Sequence, residues 1–238
     1  MQLSLKEYFS QEFQDIKVSL HSLQELEKSV MFMSAKFDEM RQECETNKAA
    51  LKQLTSENLG LKTTVSDLST RLNLLEQYAR QDNVEINGLP ENSGENLIST
   101  VVQLGKVVSC NIQEQDIMSI TRIKKLDLDS KRPRSVVVKL RNTRIRDEVL
   151  ASVVKFNKSA EKDKKLNSSL LGYGGAKTPV FVSEHLSPMN KAIHAETRKV
   201  AREKGYKYVW VRDGRILVRK EDGARPKQIK NLQAIALL

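Results

Sequence analysis

The sequence predicts an α+β chain: a long N-terminal parallel coiled coil, then a ferredoxin-like βαββαβ domain, then a small domain of one helix and a β-hairpin. Three observations predict it. Ten unbroken heptads run from Phe9 to Gln77. Beyond them, stretches of period-two alternation and helical patterns follow one another in the order β, α, β, β, α, β. Near the C-terminus an Asp213-Gly214 pair joins two alternating segments, the strongest short-range hairpin signal. The expected segments are a coil over 1–79, a central domain over 80–184 with a polar linker at 157–178, and a C-terminal domain over 185–238.

With Phe9 as position a, the a series is Phe9, Ile16, Leu23, Val30, Phe37, Cys44, Leu51, Asn58, Val65 and Leu72. The d series is Glu12, Ser19, Leu26, Met33, Met40, Asn47, Leu54, Leu61, Leu68 and Leu75, so 16 of 20 seam positions are apolar. No proline precedes Pro90 and the one early glycine, Gly60, takes a non-seam position, so nothing breaks a rod on the order of 100 Å at about 1.5 Å per residue. In a parallel pairing Glu43 meets Lys48, Glu57 meets Lys62 and Arg71 meets Glu76, against one repulsive pair, Lys36 with Arg41. Asn58 at a is the kind of polar seam residue that fixes register. Leu51, Leu54, Asn58, Leu61, Val65, Leu68, Leu72 and Leu75 are therefore the expected oligomerisation residues of a homodimer or homotrimer, and other coiled-coil proteins are further partners such a seam accepts. The alternative is a long helix folded back on its own globular half.

After the coil, Asn83–Pro90 alternates and stops at Gly and Pro, a strand with one buried face. Ser93 is the expected cap of a helix carrying Leu97, Val101, Leu104 and Val108. Strands follow at Ile117–Lys124 and Ser135–Arg141, a helix at Thr143–Phe156, and a strand at Val180–Val182. This element order is that of the split βαβ sandwich of RNA-recognition domains, an RRM-like expectation. Ser187-Pro188 opens a further helix that Gly205 closes, with Lys191, His194, Arg198 and Arg202 opposite Met189, Ile193 and Val200. The two-residue turn pairs Arg212 with Arg215, Val211 with Ile216, Trp210 with Leu217, Val209 with Val218 and Tyr208 with Arg219. Val209, Val211, Ile216 and Val218 form the expected core face, opposite a face of Tyr208, Trp210, Arg212, Arg215, Leu217 and Arg219. Packing of Trp210 and Tyr208 under the helix or the tail is the alternative.

Charge is divided unevenly. Of 40 Lys and Arg and 30 Asp and Glu, residues 1–79 hold 9 and 12, leaving 31 and 18 for the remainder, so the two parts carry −3 and +13. Such a basic half points to a polyanion partner. Ten basic residues lie between Arg122 and Arg146. The third strand leaves Lys139 and Arg141 off its apolar face, and no aromatic is expected beside them, so phosphate contact without sequence readout is the expected mode there. The expected nucleic-acid residues are Arg80, Arg122, Lys124, Arg132, Arg134, Lys139, Arg141, Arg198, Arg202, Tyr208, Trp210, Arg212, Arg215 and Arg219, with a solvated basic face as the alternative. Single-stranded RNA or DNA is the expected ligand, with Tyr and Trp to stack bases.

Several classes are excluded or disfavoured. No 18-residue apolar run or cleavable leader occurs, so membrane insertion and export are not expected and the compartment is intracellular, cytoplasm or nucleus. Cys44 and Cys110 are too few and too far apart for a disulfide framework or a zinc site, and His21, His185 and His194 lack partners at ligand spacing, so no metal or cofactor is expected. No GxxxxGK[ST], HExxH or GxSxG occurs, and Gly172-Tyr173-Gly174-Gly175 precedes a strand where a phosphate loop must open a helix, so no enzyme is expected.

Certain segments resemble known families. Leu75-Glu76, Arg80, Asn83-Val84, Ile86 and Gly88-Leu89-Pro90-Glu91, with Lys131–Lys139, resemble the RNA-binding first-reading-frame proteins of LINE retrotransposons. Val180–Pro188 and Gly205–Lys220 are similar to the few-polyhedra (FP) proteins of baculoviruses and their insect relatives. The resemblance implies a self-associating, chaperone-like single-strand binder with Arg80, Arg132, Arg134, Lys139 and Arg212 in its surface. The FP branch implies instead a viral structural or trafficking role, and its insect relatives often carry an N-terminal zinc finger that has no counterpart here.

Overall fold

The computed structural model describes residues 5–125, 129–130, 132–161, 164–236 and 238. It is an α+β chain that separates into two compact units, Met1–Leu68 and Ser69–Leu238. The first unit is helical, part of α1 (Leu5–Tyr78). All the apolar seam positions named above that lie in it are exposed, Leu51, Leu54, Leu61, Val65 and Leu68 among them.

The second unit begins with the last turns of α1 and holds two antiparallel sheets. The first contains β1 (Asn83–Asn87), β2 (Ile117–Arg122), β3 (Val136–Leu140) and β4 (Phe181–Glu184), in the order β2-β3-β1-β4. Helices α2 (Leu97–Val107) and α3 (Thr143–Ser159) complete it. Alternation puts Val84, Ile86, Val136, Val138 and Leu140 on one face, where they pack with Val101, Leu104, Val149 and Val153 of the helices. Each such residue contributes about 1.5–3 kcal/mol by leaving water.

The boundaries shift from expectation where side-chain chemistry decides them. The cap of α2 is Asn96, whose side chain accepts from Ser99 N at 3.0 Å, and not Ser93. Segment 157–178, expected as a polar linker, sends Leu166, Leu171 and Tyr173 into the core. Its Ser168 and Asn167 are buried, and Asn167 bridges to Pro179.

The second sheet, β5 (Tyr208–Arg212), β6 (Arg215–Arg219) and β7 (Lys227–Ile229), packs under α4 (Pro188–Glu203) and α5 (Leu232–Ala236). The β5–β6 register is the one dictated by a two-residue turn, and Ile216, Val218, Ile229, Ile193 and Ile235 form its core. Val209 and Val211 are half-buried against it, whereas Met189, expected inside, is exposed. Neither β7 nor α5 was expected from the sequence.

A polar joint holds the small domain to the end of α1. Gln77 Oε1 accepts from Ser187 N at 2.9 Å and Asn190 Nδ2 at 3.1 Å, and Gln77 Nε2 donates to His185 O at 3.2 Å. Ser187 Oγ donates to Asn73 Oδ1 at 2.5 Å, and Asn73 Nδ2 donates to Asn190 Oδ1 at 2.9 Å. Asn190 Nδ2 also reaches Gly214 O at 3.1 Å in the β5–β6 turn. That turn needs left-handed backbone at Asp213 (φ 52) and Gly214 (φ 70).

A Cβ on Gly214 would lie 2.4 Å from Gln77 Cγ. Gly214→Ala therefore costs at least about 1–2 kcal/mol from its backbone alone, and more from the collision. Gln77→Ala costs about 1–3 kcal/mol by orphaning its partners. Together they cost less than the sum, because the second change removes the atoms the first one strikes; denaturant titration of the four proteins reads this coupling.

Candidate nucleic-acid interface

The expected cations divide into those committed to the fold and those left to solvent. Arg122 is committed: its side chain is 5% exposed, bidentate to Glu95 at 2.5 and 2.6 Å, and it donates to Leu89 O, Pro90 O and Arg134 O. The guanidinium, expected in a binding surface, has its hydrogen-bond donors used within the fold. The same contact holds the Glu95 carboxyl below its ordinary range, the Arg122 hydrogen bond being the largest cause. Arg134 pairs with Glu91 at 2.8 Å but stays half-exposed. Arg80 donates to Glu76 O at 2.6 Å, closing the end of α1, and lies mostly inside.

Lys124, Arg132, Lys139, Arg141, Arg198, Arg202, Arg212 and Arg215 are exposed. Among the described residues, Lys124, Arg132, Lys139, Arg141, Arg198, Arg202 and Arg215 have no ion-pair partner, whereas Arg212 lies 4.0 Å from Asp213. Arg141 also donates to Gln115 O at 2.9 Å. Lys131, counted in the same basic run, lies outside the described residues. These side chains fall in three places. Lys124, Arg132 and Arg134 flank the β2–β3 loop, Lys139 and Arg141 stand at the opposite end of β3, and the rest belong to the small domain.

The outer hairpin face is only partly open. Tyr208 stands under the Arg219 guanidinium, 4.5 Å from the ring centre, with Lys207 at 5.3 Å, and donates to Asp222 Oδ1 at 2.6 Å. Asp222 also pairs with Lys207, which with Tyr208 lowers its carboxyl pKa. Trp210 is half-buried opposite Leu217. The ring of Tyr208 thus already has cationic partners, and Arg219 is one-third exposed.

On the four-stranded sheet, the face away from the core carries Asn83, Glu85, Asn87, Val137, Lys139, Phe181 and Ser183. It is not fully open. Lys191 of α4, expected on the helix face opposite Met189, Ile193 and Val200, pairs with the buried Glu85 at 2.7 Å, and Asn83 Nδ2 donates to His185 Nδ1 at 3.2 Å. Burial lowers the pKa of His185 and of His194, with Arg198 adding to the latter. Phe181, however, is 65% exposed on this face, an aromatic the sequence reading missed there. Its strand alternation with core-packed Val182 was the signal that would have found it. Arg146, the last of the basic run, is buried and joins α3 to the small domain through Asp213 at 2.9 Å and to the turn after α1 through Gln81 O at 2.6 Å.

The fold is α+β with exposed cations on the second unit, and among the described residues no cluster of His, Cys, Asp or Glu is fit for a metal. Among those residues no helix is long and apolar enough to cross a membrane. Residues 187–238 match the family model described as Baculovirus FP protein domain 2, so this segment is similar to that domain. No curated protein matches the chain.

Arg122→Ala leaves Glu95 half-buried without its cation and should destabilise the second unit by about 3–5 kcal/mol, while Arg132→Ala and Lys139→Ala stay within about 0.5 kcal/mol. Because the folded Glu95 pKa is depressed, its contribution is present above the ordinary value of 4.5 and is lost as pH falls through the folded value. Melting followed from about pH 6 to about pH 3, a range that brackets a carboxylate, should show a shallower acid limb in Glu95→Gln.

Proposed function

We propose that the chain is a non-catalytic, self-associating single-stranded nucleic-acid-binding protein with chaperone-like behaviour. In this reading α1 forms a parallel coiled coil and residues 80–184 form a ferredoxin-like domain, which the strand order β2-β3-β1-β4 and the βαββαβ sequence support. The observation that carries the reading is an apolar seam exposed along α1 in the same chain as a unit whose exposed Lys124, Arg132, Lys139, Arg141, Arg198, Arg202 and Arg215 have no ion-pair partner among the described residues. A seam of this length is a large apolar surface that association would cover. Several weakly binding heads on one assembly gain affinity by avidity, about 10²–10⁴ when they engage together.

The retrotransposon resemblance of residues 75–91 and 131–139 supports this reading. A second reading is favoured by the family match at 187–238: a structural or adaptor role in virion or occlusion assembly and trafficking, with the coil docking other proteins. Salt dependence separates the two. A single-strand binder loses up to about 0.7 units of log–log salt slope for each phosphate contact removed in Arg132→Ala, Lys139→Ala and Arg212→Ala, while an unchanged slope favours the adaptor.

Association has its own test. Prolines at Leu61 and Leu68 should weaken binding to long strands far more than to short ones, and equal losses would sink the avidity claim. In a parallel, in-register coil Cys44 at position a opposes its twin, so mild oxidation should give a disulfide-linked pair of chains on non-reducing gels. Buried Cys110, whose thiol pKa is raised by desolvation, stays silent.

A further inference from the structure

We infer that the cleft between the end of α1 and the β5–β6 turn holds one unpaired nucleotide of a single strand, an inference that rests on the nucleic-acid reading above. The cleft has a volume of about 620 Å³, within the range of small-ligand sites, and lies wholly inside the second unit. Tyr78 forms part of its wall and is 67% exposed, with no ring or cation partner among the described residues. Gln81 and Gln228 line it with amides, and Arg215 and Lys230 line it with cations that have no ion-pair partner among those residues.

The cleft's one acid, Asp213, is paired with Arg146, whose guanidinium is also held by Asp147 and Gln81 O, and the lining adds the cations Arg215 and Lys230. The electrostatic balance that remains is cationic. Each part of a nucleotide then has a partner: the Tyr78 ring for the base face, glutamine amides for its hydrogen-bonding edge, and Arg215 and Lys230 for its phosphates. Tyr208, the ring expected to stack bases, already stands under Arg219, whereas Tyr78 is unoccupied. An acidic peptide would satisfy the cations but leave the ring and the amide edges without matched partners.

The test uses the full chain and a short fluorescent single strand carrying 5-iododeoxyuridine, at low salt. Tyr78→Ala should lower affinity about tenfold and Tyr78→Phe should retain it, as expected for a stacked base. A strand of the same length with abasic sites should bind the wild type and Tyr78→Ala alike. Irradiation should place the adduct on the tryptic peptide from Leu72 to Arg80. If the wild type binds no strand, the nucleic-acid reading fails and takes this inference with it. If the wild type binds but Tyr78→Ala binds equally well and the adduct lies elsewhere, the inference alone fails. A change in oligomer mass with unchanged affinity per chain would make the cleft an interface between copies, and preference for an acidic peptide over the strand would make it a protein site; either result overturns it.

Discussion

The second unit depends on one small polar joint. Gln77, two turns before the first strand, satisfies the backbone that opens α4 and receives Asn190, which in turn reaches the β5–β6 turn. Glu184, at the end of β4, accepts from Asp213 N and Gly214 N at 3.0 and 2.6 Å, and Arg146 reaches the same turn from α3. Elements from the start, middle and end of the unit thus converge on a two-residue turn. Buried amides and hydroxyls that satisfy one another specify a single arrangement where an apolar contact would allow sliding.

The joint lies on a particular side of α1. Asn73 and Gln77 occupy heptad positions b and f, opposite Leu72 and Leu75 at a and d, which stay exposed. The small domain thus docks on the polar side of the last turns of the helix.

Periodic and local features were legible in the sequence. Heptads mark α1, alternation marks the strands, and Asp213-Gly214 fixes every pairing of the hairpin because a two-residue turn leaves no freedom of register. Features that depend on distant partners were not. Arg122 meets Glu95 27 residues away and Ser187 meets Gln77 110 residues away, so nothing local distinguishes a structural arginine from a binding one. Leu166, Leu171 and Tyr173 carry no period, hidden among Lys, Ser and Gly. The short β7 and α5 contain too few residues for a pattern to emerge.

The β5–β6 turn has a consequence for anyone labelling this protein. Hairpin tips are ordinarily the safest places for tags, inserted peptides or new chain termini, because they face water and contact little. Here the tip is a keystone, pressed against Gln77 of α1 and held by Glu184 of β4, Arg146 of α3 and Asn190 of α4, and an insertion there would unseat four elements together. The glycine loop offers a contrast at Gly174, where an added Cβ meets nothing within 4 Å.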